Sequence, residues 1–143
     1  MFKVGFQVDY ADTDAMAVAH HASYFRWFER ARVEWLRHLG LSYFEMEREG
    51  YLLPLRSAEI KYRKPLRFDD RPEVEVWVEK LRAAGIDLGY NVWLNGEIVT
   101  SAQTSHVLVL RPTSGEGMSP VKIPEKWRKV WQEQSAKKPL TSR

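Results

Sequence analysis

"SYFRWFERARVEWLRHLG", residues 23–40, is the stretch that decides the fold. Tyr24, Trp27, Phe28, Ala31, Trp35 and Leu39 recur at helical spacing, and Phe25 and Leu36 widen the apolar stripe. A helix apolar over so much of its circumference needs other elements around it. Residues 23–39 are therefore expected as a long buried helix, with Gly40 as its C-terminal stop. "SYFE", residues 42–45, matches a capping box and opens a short second helix that ends near Gly50.

On either side of this helical region the apolar period becomes that of a strand. Phe2, Val4, Phe6 and Val8 give residues 2–10 one apolar face. Ala58, Ile60 and Tyr62 alternate with Glu59, Lys61 and Arg63, and Val74, Val76 and Val78 with Glu73, Glu75 and Glu79. Ile86, Leu88, Tyr90, Val92 and Leu94 continue the pattern up to Asn95-Gly96, a two-residue hairpin signal, and a long strand over 98–110 follows. Pro124, Trp127, Val130 and Trp131 mark a short amphipathic helix. Residues 135–143 are expected as a disordered basic tail, which leaves 1–134 as one domain. This order predicts an α+β fold, a long central helix wrapped by a curled antiparallel sheet of about five strands. Such a sheet leaves its outer face and edges partly protected. Self-association is the usual remedy, and Trp77 and Trp93, expected on the outer face, suit it.

The totals limit the chemistry. The chain has 143 residues, 44% of them hydrophobic and 29% charged, as expected of a globular domain with a real core. No cysteine is present, so disulfides, thiolate nucleophiles and cysteine-based zinc sites are excluded. That composition suits a reducing cytoplasm, the expected location. The opening "MFKVGFQVDY" lacks a signal-peptide apolar core, and no apolar run is long enough for a membrane helix. A formal charge of +3 is too small to indicate nucleic acid and is compatible with a small anionic ligand. Membrane or RNA binding through the tail has only two lysines and an arginine behind it.

The chemistry-bearing residues cluster just ahead of the long helix, in "DTDAMAVAHH", residues 12–21. A helix N-terminus offers unpaired N–H donors and the positive end of a dipole. Beside them a carboxylate could attack a carbonyl or take a proton from water while the donors hold the oxyanion. A thioester suits so weak a base because its leaving thiolate has a pKa of about 8.5. The plainer alternatives stay open on spacing alone. Asp12 and Asp14 could make turn hydrogen bonds, and His20 and His21 could cap the helix. A metal site is a further alternative, but His38 and His106 fall in no recognisable ligand spacing.

"DYADTDAMAVAHHASYFRWFERARVEWLRHLG", residues 9–40, resembles the signature of the YbgC and 4-hydroxybenzoyl-CoA thioesterase family of hotdog-fold proteins. "IKYRKPLRFDD" (60–70) and "VEKLR" (78–82) resemble its later strands, so the likeness covers about residues 5–111. It implies a hydrolase that cleaves an acyl-CoA thioester to free acid and thiol, with no cofactor beyond the coenzyme A of the substrate. An acyl carrier protein as thiol carrier and a non-catalytic acyl-binding protein are the alternatives. Matched by position, Asp14 resembles the family's catalytic carboxylate, as nucleophile or general base, and His21 the residue whose backbone N–H polarises the carbonyl. Arg82 matches a residue that meets coenzyme A phosphates; Lys61, Arg63 and Lys64 are candidates by charge, and Met16 and Tyr24 as neighbours of the acyl group. The resemblance also implies a homodimer with the site at its interface, extending to a dimer of dimers or homotetramer. Two departures stand out. Met16 and Ala17 replace the glycines usual after the carboxylate, and Ala83 and Ala84 interrupt the basic run of the 4-hydroxybenzoyl-CoA branch, so the YbgC branch fits better.

Overall fold

A computed structural model describes residues 2–113, 115 and 117–139. Strands β1 (Lys3–Gly5), β3 (Leu55–Tyr62), β4 (Glu73–Leu81), β5 (Gly85–Leu94) and β6 (Glu97–Val107) form one antiparallel sheet in the order β1-β4-β5-β6-β3. β2 (Tyr51–Leu52) and β7 (Val109–Leu110) pair separately. Helix α1 (His21–His38) lies in the concave face of the large sheet, followed by α2 (Tyr43–Arg48), while α3 (Glu125–Ser135) closes the chain. This is the central helix wrapped by an antiparallel sheet that the apolar periodicities predict, and the hotdog arrangement that the resemblance implies.

The core forms where the helical stripe meets the inward positions of the strands. Tyr24, Trp27, Phe28, Ala31, Trp35 and Leu36 pack with Val74, Val76, Val78, Ile86, Leu88, Tyr90 and Val92, all nearly inaccessible to water. Phe28 stacks on Tyr90 with ring centroids 4.6 Å apart. Burial of such side chains contributes roughly 1.5–3 kcal/mol each, so this seam dominates the stability of the fold. Asn95 and Gly96 both take positive φ at the β5–β6 hairpin, as a two-residue turn of this hand requires.

Three expectations need correction. The first strand is short, because beyond Gly5 the chain pairs irregularly, Phe6 N–H donating to Pro72 O and Val8 N–H to Asp70 O. Phe6 and Val8 still face the core. Helix α1 begins at His21 rather than Ser23, because the His20 side chain caps it, accepting from Ala22 N–H. Trp77 does lie on the outer face but is buried. It fills the space above Gly89, where an added Cβ would come within 2.3 Å of its ring, and its Nε1 donates to Glu79. Trp93 is half-buried and donates to Glu75 Oε1. Beyond α3, Lys138 returns to pair with Glu79 of β4 at 2.6 Å, while residues 140–143 lie outside the described residues.

The two edges of the sheet differ. β1 offers three residues, whereas β3 offers eight, all but Ile60 exposed, including the apolar Leu55 and Tyr62.

Candidate active site

The loop before α1 is shaped by two aspartates with different fates. Asp12 is buried, its carboxylate accepting from Asp9 N–H and pairing with Arg26 of α1, while its carbonyl accepts from His20 N–H and the Ser23 hydroxyl. These contacts bind the loop to the first turns of the helix. Asp14 lies two residues on, half-exposed, at the start of a tight hairpin closed by Asp14 N–H to Val18 O and Ala17 N–H to Asp14 O. Its Oδ1 accepts from Met16 N–H at 2.8 Å, and its other carboxylate oxygen has no partner among the described residues.

Ala17 takes φ +63 in this turn. The left-handed residue that ends such a hairpin is ordinarily glycine, because a Cβ crowds the following carbonyl there. The turn therefore takes a conformation suited to glycine, even though this chain places alanine in it. Met16 sits at the tip, 78% exposed.

An open groove of about 330 Å³ gathers Asp14, His21, Tyr24 and Tyr62 with Arg63 and Lys64. Loop and strand end are held together there by Ala19 N–H donating to Leu66 O at 2.7 Å. Tyr62 crosses the groove: its hydroxyl donates to His21 O at 3.4 Å, and its ring meets Tyr24 edge-on at 5.0 Å. Burial pushes both phenols above their ordinary pKa, so they stay protonated and act as donors. At the helix start, Ala22 N–H is taken by the His20 ring and Ser23 N–H by His20 O. The His21 N–H has no such partner among the described residues and stands at the positive end of the helix dipole.

The expected site residues thus divide. Asp14, His21, Tyr24, Arg63 and Lys64 share the groove, Lys64 also pairing with Glu97. Met16 is not among the groove's lining residues, and Lys61 lies on the outer sheet face beside Glu59 and Trp77. Arg82 lies at the β4–β5 turn, outside the groove's lining, and pairs with Asp87 through guanidinium contacts at 2.7 and 3.3 Å. Burial pushes the Asp87 carboxyl up, but hydrogen bonds from Arg82 and Ser105 outweigh it and hold it below its usual range. Tyr62 is the groove residue that the spacing did not single out. Its inward place after Ala58 and Ile60, at the end of β3, was the available signal. Among the described residues no cluster of His, Asp and Glu suits a metal, and no helix is long and apolar enough to cross a membrane.

Known proteins share this framework. The 1,4-dihydroxy-2-naphthoyl-CoA hydrolase of Thermosynechococcus vestitus is 31% identical over 107 residues, 73% of each chain. The acyl-CoA thioester hydrolase YbgC of Escherichia coli O157:H7 is 35% identical over 86 residues, 60% of this chain and 64% of that one. Among solved structures, the DHNA-CoA thioesterase of Staphylococcus aureus aligns with a TM-score of 0.86 at 27% identity, covering 94% of this chain and 90% of that one. A family model matches residues 8–131, a span that takes in the Asp14 loop, α1, the strands β3 to β6 and most of α3. By that match the chain belongs to the thioesterase-like superfamily.

Proposed function

We propose that the protein hydrolyses acyl-CoA thioesters, with Asp14 as the reacting carboxylate. The observation that carries this reading is the pairing of an uncommitted carboxylate oxygen with an unpaired helix N-terminal N–H, both in one groove. The thioester carbonyl oxygen accepts from His21 N–H, which stabilises the oxyanion as it forms. Asp14 then attacks the carbonyl carbon directly, or removes a proton from the water that does so. Collapse of the tetrahedral species breaks the C–S bond. The thiolate leaves and takes up a proton, and the acid is released, after hydrolysis of an anhydride if Asp14 attacked first. Tyr62, donating to His21 O, steadies the backbone turn that aims the N–H. Arg63, in none of the ion pairs of the described residues, stands at the groove for a phosphate of coenzyme A. The names and substrates of the relatives support the same reaction class.

The exposed edge of β3 supports a homodimer. Eight residues with unpaired backbone groups and an open apolar side form a surface that a second copy covers by antiparallel pairing. Such pairing places a partner's strand beside the Asp14 groove, which ends on Tyr62 of that edge. The test is thiol release from short, long and aromatic acyl-CoAs by wild type and Asp14→Asn, with sedimentation of the same samples. Activity in the wild-type dimer alone is expected. Equal rates in the variant would remove Asp14 from the reaction, and a monomer at micromolar concentration would remove the shared site. Release from the pantetheine thioesters as fast as from acyl-CoA would place recognition outside the nucleotide and favour a carrier protein.

A further inference from the structure

A second cavity, of about 510 Å³, opens beside the middle of α1 and the start of β3. Its walls are mostly apolar, with Leu36, Ile86, Leu88 and Trp131 among them, yet it contains a guanidinium. Arg32 is half-buried on α1 and forms no ion pair within 4 Å among the described residues. It heads a chain of hydrogen bonds whose direction can be assigned. Leu53 O can only accept, so His106 Nδ1 carries the proton at 3.4 Å from it, and Nε2 accepts from the Thr104 hydroxyl at 2.9 Å. Thr104 in turn accepts from Tyr90 at 2.6 Å, and Tyr90 accepts from Arg32 at 3.2 Å. Burial, and after it the Arg32 charge, lower the His106 pKa to about 4, which keeps the ring neutral as this direction requires. Every group in the chain is satisfied except Arg32, whose remaining N–H donors have no protein acceptor among the described residues.

A cation beside apolar walls with donors to spare selects for an oxygen. Two carboxylates also line the cavity, exposed Glu29 and half-buried Glu47, and they disfavour an incoming anion. A neutral hydroxyl fits both signs, because it accepts from Arg32 and can donate to a glutamate. The position of the cavity names the molecule that brings it. The Asp14 groove ends at Tyr62 and this cavity at Leu55, opposite ends of β3 and roughly 23 Å apart. Antiparallel pairing of two β3 strands about a two-fold axis brings the Leu55 end of one copy to the Tyr62 end of the other. We infer that each cavity receives the far end of the acyl group held at the partner's Asp14 groove, and that Arg32 selects acyl groups ending in a neutral hydroxyl.

This inference rests on the thioester hydrolase and dimer readings above. It is tested with methyl-terminated thioesters of coenzyme A, their ω-hydroxy counterparts and their ω-carboxy counterparts, each over acyl chains of four, six and eight carbons. At the length that spans groove and cavity, wild-type kcat/KM should favour the hydroxyl over the methyl by about tenfold, the size of one hydrogen bond to a charged group, with the carboxylate the poorest. Arg32→Met should bring the hydroxyl-to-methyl ratio close to one, and Arg32→Lys should leave an intermediate ratio. Equal handling of methyl and hydroxyl ends at every length would overturn the inference, as would a ratio unchanged by Arg32→Met. No turnover of any thioester would instead overturn the hydrolase reading itself.

Discussion

Asp12 and Asp14 are the same residue two positions apart, yet the fold treats them oppositely. Asp12 is sealed among Asp9 N–H, Arg26 and the first turn of α1, and every strong contact available to it is made. Asp14 keeps one oxygen without a partner among the described residues, at the edge of a groove. The difference teaches that burial and partners, rather than residue identity, separate an anchoring carboxylate from a reactive one. A committed carboxylate stabilises structure and has little left to give to chemistry. An uncommitted one contributes little to stability and remains available.

Exchange of function between the two sites would break this comparison, and the largest expected effect tests it first. Asp14→Asn should lower kcat by between about a hundredfold and ten-thousandfold, the range for loss of a positioned base, while thermal unfolding stays close to wild type. Asp12→Ala should do the reverse. It strips Asp9 N–H of its acceptor and Arg26 of its partner, and should destabilise the protein by about 2–3 kcal/mol. Turnover per folded molecule should change far less than in Asp14→Asn. If Asp12→Ala abolished turnover in a fully folded protein, the division of labour would be wrong.

A second buried polar group sharpens the same contrast. His106 is committed to Thr104 and Leu53 and is held neutral, its pKa lowered to about 4 by burial above all. An imidazole in the unfolded chain takes up its proton near its ordinary value of about 6.5. Between those values the unfolded state binds more protons, so stability rises with pH and is lost as pH falls through the window. Integrated over it, the loss is about 3 kcal/mol. Chemical denaturation of wild type at pH 7 and pH 4.5 should show most of that drop. His106→Gln, which cannot titrate, should flatten the slope even though it is less stable at neutral pH.

Much of the fold was legible because its signals were local and repeated. The stripe from Tyr24 to Leu36 needed no tertiary knowledge, and neither did the strand alternation or the Asn95-Gly96 turn. Asp14 and His21 were legible as candidates because they stand just before a long helix. Spacing alone left turn and capping roles open, and only the family resemblance matched them to a reacting carboxylate and an oxyanion donor. What stayed hidden depends on contacts distant in sequence. Nothing local says that Asp12 meets Arg26. Trp77 read as an exposed aromatic because the gap it fills belongs to Gly89 on the neighbouring strand. Nothing in the sequence around Arg32 signals that the sheet brings Tyr90 within 3.2 Å of it.

The smallest effect concerns the turn that holds Asp14 open. Ala17 sits at φ +63, where its Cβ is crowded, and its side chain is exposed and makes no packing contribution that glycine would forfeit. Ala17→Gly should therefore stabilise the protein by about 0.5–1 kcal/mol, against the usual sign for alanine to glycine, because relief of the left-handed strain exceeds the added freedom of the unfolded chain. Thermal unfolding of the variant measures this directly, and turnover should stay within about twofold of wild type, since Met16 N–H still reaches Asp14 Oδ1. A destabilised Ala17→Gly would mean that the methyl group restrains the turn more than it strains it. The uncommitted state of Asp14 would then depend on that rigidity rather than on the missing partners alone.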